Sequence, residues 1–546
     1  MIAFREKQTS KTLLDHQIHS TTNRLANFPT TFLTQTHCLD LREFLAGRSG
    51  SLTVCHDFFP TAVTKENVML SRLPILLLLV VVSLSVSTTP LDGAELRAGA
   101  FAMDVTPLKF PISMNGNMQD APAKRAADPL HARCLVLDDG TTRVAFVVVD
   151  NCVIRRELMD DAKQRANKLT GIPVDRMLIS STHAHSCPTV TGAFQSEPVV
   201  EYIEFLTDRI AAGIKRANDN LAPARVAWGV GRDETQVFNR RWWLKEPSSE
   251  SNPFGLMDQV RMNPGYNNPK VSKSAGPVDP EVSFLSVQSL AGRPRAFLAN
   301  YSLHYVGGTG GDLSADYFGA FAERIGQLLK ADNSGDAPFV GLMSNGTSGD
   351  VNNVNYGLAT PPKYEPFEKI RLVANSVATA ALAAHEKTEY RSRISIAMRE
   401  TEIELKVRKP SADDIAAAQT RLEKAGPFPY KAMPEVYARE TLMLAKYPDT
   451  VKIKLQAIRI GELGIVAIPA EVFAEIGLEI KRRSPLKPTF TIALANGWNG
   501  YLPTPQQHEL AGYETWRARS SYLEVGASPK IVETLLKLLH EVAVER

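Results

Sequence analysis

Along this chain the period of apolar residues switches repeatedly between two and about 3.6. Residues 132–137 and 143–150 (RVAFVVVD) are apolar runs around Asp138-Asp139-Gly140-Thr141, whose composition suits a hairpin turn. From 156 to 169 the apolar positions recur at helical spacing, which returns over 199–217, 315–329, 369–388, 472–482 and 528–545. Between these lie short apolar runs at 178–181, 226–230, 294–301 and 339–343, and longer β-rich stretches at 394–407 and 450–468. Strands alternating with helices predict an α/β fold, a mixed β-sheet flanked by helices. One large domain over 95–546 accommodates them, with ligands expected at the C-terminal ends of the strands.

Two segments break this pattern. Residues 73–86 (LPILLLLVVVSLSV) carry no charge, follow Arg72 and precede small polar residues, which describes a secretory signal peptide over 69–94. The run is shorter than the roughly 20 residues of an easy membrane span. The rival reading is a membrane anchor at 73–86. A signal acts near a chain start, so Met69 is the expected initiator and 1–68 an unstructured extension created by start-site choice. Segment 245–278 is rich in Pro, Asn, Ser and Gly and predicts a long loop, either a substrate lid or a surface insertion.

Composition changes the picture little. The chain is 44% hydrophobic and 22% charged, and its 62 basic against 59 acidic residues give a net charge of +3. No basic excess points to a nucleic-acid partner. Lys481-Arg482-Arg483 reads as a solvated helix end. Of five cysteines, Cys38 and Cys55 precede the expected cleavage point, leaving Cys134, Cys152 and Cys187. That is no disulfide framework, although a single Cys134–Cys152 bridge stays open. Cys187 reads as a small buried apolar residue or a soft metal ligand.

Candidate chemistry starts at Thr182-His183-Ala184-His185-Ser186, directly after the 178–181 run. Side chains two apart on an extended chain share a face, so both imidazoles are expected side by side at a strand end. Imidazole ligates metals and transfers protons. His304 follows the 294–301 run, and Glu471 follows 464–468 at Pro469, where the 472–482 helix should begin. Singly, each also fits a structural role, as a hydrogen-bonded histidine or a glutamate complementing a helix dipole. Together, two histidines and a carboxylate make a catalytic zinc set. Residues 344–357 (SNGTSGDVNNVNYG) form a loop suited to presenting backbone and side-chain amides. They lack the Gly-Lys-Ser/Thr of a phosphate loop and the Gly-x-Ser-x-Gly of a nucleophile elbow.

In this order the stretches resemble the catalytic domain of the neutral, non-lysosomal ceramidases, from about Gly99 to Gly526. Residues 102–107 (AMDVTP) are similar to the family's N-terminal strand, and RVAFVVVD continues the likeness. Thr182-His183-Ala184-His185-Ser186 resembles its T-H-x-H-S, and Phe238-Asn239-Arg240 its Asn-Arg-Ser. Residues 298–304 resemble the strand ending in its second zinc histidine, 344–353 its N-x-G-D-x-S-P-N loop, and Ile468-Pro469-Ala470-Glu471 its Pro-Gly-Glu. Tyr501 and Tyr513 keep the spacing of two active-site tyrosines. The resemblance implies one zinc per chain, held by His183, His304, Glu471 and Tyr501. It places His185, Arg240 and Tyr513 around the scissile amide and has Asp350 accept hydrogen bonds inside its loop. It also implies an exported hydrolase of linear amides acting on N-acyl sphingoid lipids. A small-molecule or lipid amide is the partner, with peripheral membrane contact and no nucleic acid. A calcium or magnesium ion near Asp104 is a further expectation.

Two departures qualify this. The family's catalytic serine, two residues after the aspartate, is Asn352 here, and an amide is neither a nucleophile nor a proton shuttle at neutral pH. Either metal-activated water attacks directly while Asn352 positions the substrate, or Thr347 or Ser348 supplies a hydroxyl. Otherwise the protein cleaves another amide or ester, or is an inactive secreted binding protein on a hydrolase scaffold. The family's C-terminal β-sandwich also has no counterpart after Tyr513, where a helical tail is expected instead.

Overall fold

The hairpin strands around Gly140 are buried on both faces, which is why they read as unbroken apolar runs. Leu135, Leu137, Phe146 and Val148 face one core, while Cys134, Val136, Ala145 and Val147 face another. The structure, a computed structural model, describes residues 95–246, 252–332 and 337–545. The 1–68 extension, the 69–94 signal and the 73–86 anchor lie outside them. All described residues fall in one unit, Ser87–Arg546.

An eight-stranded mixed sheet comprises β1 (Arg97–Asp104), β2 (His131–Asp138), β3 (Arg143–Val149), β4 (Met177–Ser181), β5 (Ala222–Arg232), β6 (Glu281–Ser289), β7 (Pro294–Tyr301) and β8 (Val340–Asn345). Their spatial order is β8-β7-β6-β5-β1-β2-β3-β4, with β3–β4 and β7–β8 parallel and the other pairs antiparallel. A second sheet, β9 (Ile396–Lys406), β10 (Thr450–Ile460), β11 (Leu463–Ile468) and β12 (Thr489–Ala493), packs on one face of the first. Met398, Ile458, Ile465 and Phe490 meet Leu135, Phe146, Leu298 and Leu342 there. The α/β reading therefore holds, with two facing sheets in place of one. Periodicity marks a strand but does not say which sheet it joins.

Helices α1 (Arg156–Thr170), α2 (Val200–Asp219), α3 (Asp316–Leu328) and α4 (Glu368–His385) cover the other face of the first sheet. A helical pair, α5 (Ala412–Glu423) and α6 (Met433–Ala445), separates β9 from β10, and a capping box of Ser411 and Asp414 starts it. Then come α7 (Ala474–Arg483), the short α8 (Pro505–Glu509) and α9 (Ala527–Val544). Helices α7 and α9 cover the second sheet and complete a helix–sheet–sheet–helix stack. Among the described residues no helix is long and apolar enough to cross a membrane.

Segment 245–278 is not one structureless loop. Within it Val260–Met262 and Val271–Ser274 pair with Arg241–Leu244 into a three-stranded sheet. Cys134, Cys152 and Cys187 are free buried thiols. The Cys134–Cys152 bridge does not form because the two side chains belong to different cores.

Candidate metal centre

Strand β4 stops at Ser181, and the chain turns at once: His183 has φ 76°, in the left-handed region. A non-glycine residue is held there against roughly 1–3 kcal/mol. The expected pair on one extended face is therefore not what forms. Instead the His183 and His185 rings meet edge to face, with centroids 4.7 Å apart and Nε2 atoms 3.2 Å apart.

The His183 ring is aimed by its Nδ1, which donates to the Cys152 carbonyl (3.0 Å). His304, just past β7, donates from Nδ1 to the Ser348 carbonyl (2.7 Å). A carbonyl only accepts, so each neutral ring keeps its proton on Nδ1 and turns a bare Nε2 inward. These Nε2 atoms lie 3.0 Å apart. Glu471 Oε2 lies 3.2 Å from the His183 Nε2 and 3.8 Å from the His304 Nε2. Its Oε1 accepts from Trp498 Nε1 (3.0 Å). All three side chains are buried.

Two lone pairs and a carboxylate oxygen aimed at one spot repel each other unless a positive charge sits among them. The protonation of the cluster expresses that demand. Burial opposes charge on His183, but Glu471 overrides it and lifts the ring to about 10. Burial pushes Glu471 up, and the His183 charge outweighs it, so the carboxyl stays below its ordinary value. His304 is held well below the usual imidazole value by burial and then by Arg240. Nitrogen and carboxylate donors within 4.8 Å of one another suit zinc, so these residues fit the implied metal.

Glu471 is aimed by strand pairing rather than by a helix start. It lies opposite Tyr501 in a two-residue parallel pair, and α7 begins only at Ala474. The Tyr501 hydroxyl accepts from Arg240 Nη2 (3.1 Å), and burial, then Glu471, push the phenol well above its ordinary value. Arg240 also donates from Nη2 to the Gly349 carbonyl (2.7 Å), while its Nη1 lies 3.2 Å from His304 Nε2. The Tyr513 ring is 5.9 Å from that of Tyr501 and walls a cavity of about 400 Å³ with Leu244, Val260, Met262, Met433 and Trp516. His185 stacks on Tyr305 at 3.8 Å, and burial, then His183, hold it well below its ordinary value. Gly116, at φ 102°, leaves room for that ring: a Cβ there would stand 2.3 Å from His185 Nδ1.

The loop after β8 plays a supporting part. Asp350 accepts from Ala474 N (2.9 Å) and Asn239 Nδ2 (2.7 Å), so it ties α7 to the segment carrying Arg240 rather than bonding inside its own loop. Burial, partly offset by the Ala474 bond, raises it to about 7. Asn352 donates from Nδ2 to Asn263 (2.8 Å) and accepts at Oδ1 from Val354 N (2.9 Å). The Thr347 hydroxyl lies 3.3 Å from that of Ser302, and Ser348 offers its carbonyl to His304. Cys187 turns to the Ser314 carbonyl (3.5 Å), away from the cluster; it is Cys152 Sγ that approaches His183 Nδ1 (3.8 Å). Asp104 is exposed and accepts from Thr106 N (2.8 Å). Among the described residues no group of three ligand-type side chains includes it.

Sequence reasoning missed Trp498, Tyr305, Arg241 and Glu514, which contact the site residues and carry no motif. Only the Arg240-Arg241 pair and the position of Glu514 beside Tyr513 offered a signal. A separate cavity of about 960 Å³ runs along α3 past Arg133 and Asp316 and touches none of the expected site residues.

No family model matches the sequence. The fold is similar to that of neutral ceramidase from Pseudomonas aeruginosa, with a TM-score of 0.61 and 15% identity over 82% of this chain and 74% of that one. A ceramidase complexed with C2 gives 0.60 and 16%, over 83% and 75%. At these identities the likeness is one of fold.

Proposed function

We propose that the chain is a zinc-dependent amide hydrolase of the neutral ceramidase kind, cleaving the amide of an N-acyl sphingoid lipid. The observation that carries this reading is the convergence of the His183 and His304 Nε2 atoms and the Glu471 carboxylate beside Arg240, Tyr501 and Tyr513. Zinc, when bound, supplies Lewis acidity and activates water near neutral pH. The chain's own residues do the rest. His183, His304 and Glu471 hold the metal, with Tyr501 as the fourth proposed ligand. Arg240 Nη1 and the Tyr513 hydroxyl donate to the carbonyl oxygen as it gains negative charge. His185 Nε2 faces the same space and, as a neutral ring, can hydrogen-bond the substrate beside the carbonyl. The cavity beside Tyr513 suits an apolar acyl chain. The Asn352 side chain is held by Asn263, Val354 and Tyr356, and its amide can position the substrate without taking or giving a proton in the chemistry.

Protein made with zinc present should carry one zinc per chain, and His183→Ala should lose metal and turnover together. Protein without stoichiometric zinc overturns the metal assignment. Cleavage of short N-acyl amides or esters, with sphingoid amides untouched, keeps the hydrolase and removes the ceramide label. No turnover over a broad amide and ester panel favours a binding protein on a hydrolase scaffold. Export rests on segment 69–94 alone, and exported protein should begin near Glu95.

A further inference from the structure

We propose that Glu514 is a positioning residue that aims Arg240 at the substrate carbonyl; this rests on reading the site as an amide hydrolase. Glu514 and Arg241 are fully buried and Arg240 nearly so. Each carboxylate oxygen of Glu514 takes one arginine: Oε1 accepts from Arg240 Nε (3.1 Å) and Oε2 from Arg241 Nη1 (2.7 Å). Arg241 is otherwise committed inside the protein. It donates from Nε to Gln507 Oε1 (3.1 Å) and from Nη2 to the carbonyls of Gln507 (3.2 Å) and Ala511 (2.7 Å). Arg241 therefore fixes Glu514 and does not face the metal cluster.

Counting donors shows what this arrangement leaves over. A guanidinium has five N–H groups in one plane. In Arg240, Nε is taken by Glu514, and Nη2 by the Gly349 carbonyl and the Tyr501 hydroxyl. Bonds at Nε and Nη2 set the plane, and the plane sets where Nη1 points. That atom sits 3.2 Å from His304 Nε2 and retains a hydrogen for a ligand. Two guanidiniums sharing one carboxylate also leave a net charge of +1 beside the cluster, placed before any oxyanion develops. The turn Tyr513–Thr515 thus does two jobs with adjacent side chains. Tyr513 walls the cavity, and Glu514 clamps the cation behind it.

The test is a double-mutant cycle in the full chain, with zinc content measured alongside. E514Q keeps an oxygen for only one guanidinium; Arg241 holds the shorter bond (2.7 Å against 3.1 Å), so the amide N–H₂ falls to Arg240, which loses its aim. The expected kcat falls about 100-fold with KM within about threefold, the scale of losing one oxyanion donor. In an R240A background, E514Q should cost less than about twofold more, because its effect passes through Arg240. Losses that simply add overturn the proposal. Glu514→Asp, which keeps the charge but retracts it, serves if the glutamine variant does not fold. It should lose about tenfold in kcat, and full kcat overturns the proposal.

A second readout needs no turnover. In protein labelled with ¹⁵N-arginine, one slowly exchanging Nε–H signal should vanish in R240A and exchange fast in E514Q. A wild type that cleaves no amide removes the hydrolase reading while this signal still judges the clamp. An Arg240 signal unchanged by E514Q overturns the clamp whatever the activity.

Discussion

Replacing Trp498 by phenylalanine isolates what holds Glu471 in place. The carboxylate accepts at Oε1 from Trp498 Nε1 (3.0 Å), while Oε2 faces the two histidines, 3.2 Å from the His183 Nε2. Phenylalanine keeps an aromatic ring at a half-buried position and removes only the donor. A hydrogen bond to a charged group contributes about 1.5–3 kcal/mol net. At about 1.4 kcal/mol per decade, losing it should weaken zinc binding roughly 10- to 100-fold, the usual range for a residue that orients a ligand. The assay is a chelator-competition titration of the purified full chain at fixed pH, with thermal unfolding of the metal-free protein as the control. The Kd for zinc should rise by that factor, while the metal-free Tm moves by no more than a few degrees. A Kd unchanged within twofold, in protein whose wild type binds zinc, refutes the argument that this bond aims Glu471.

Three further outcomes follow from contacts on the same fold. Lys163 is buried, donates to Asn496 Oδ1 (2.7 Å), and is pushed down from 10.5 to about 7 by burial and then by Lys454. With its folded value depressed, the stability it contributes is present above pH 10.5 and lost as pH falls through about 7. The Tm of wild type minus that of Lys163→Met should therefore grow from pH 7 to pH 10, and a constant difference contradicts the assignment. Asn352→Ala should keep at least about a tenth of wild-type turnover, since the amide ties its loop to Asn263 and supplies no proton. A loss beyond about a thousandfold places Asn352 in the chemistry. Gly116→Ala should cut turnover at least about tenfold with zinc binding kept, because its Cβ meets the His185 ring. Gly171→Ala meets no atom within 4 Å at φ 73° and should cost only stability, about 1 kcal/mol by urea unfolding.

What could be read from the sequence follows a physical dividing line. Strands buried on both faces announce themselves as apolar runs, so β2, β3, β4 and β7 lie where they were expected. The pieces Val260–Met262 and Val271–Ser274 are too short to show a period, and Pro and Asn around them read as loop. Helix α5 carries a legible start at Ser411 and Asp414, but the apolar positions over 412–445 give too weak a period to mark the helical pair. His183, His304 and Glu471 were visible as ligand-type residues at strand ends. Arg240, Tyr501 and Tyr513 came only through the family resemblance. Glu514 meets Arg240 across 274 residues and Trp498 meets Glu471 across 27, and no local pattern encodes such pairings. The left-handed backbone of His183 was equally hidden, because nothing in Thr182-His183-Ala184 departs from a strand.

The three central donors come from distant parts of the chain. His183 and His304 stand 121 residues apart, and Glu471 lies a further 167 along (471 − 304). An unfolded chain could gather them only by closing two long loops, so a cation held by them would bind almost exclusively the folded state. It would then act as a reversible cross-link whose binding energy becomes folding energy. At a free concentration 100 times its Kd, it would add about 2.7 kcal/mol of stability. With zinc bound as proposed, the proportion of chains that reach and keep the native state would depend on the metal supply of the compartment where they fold.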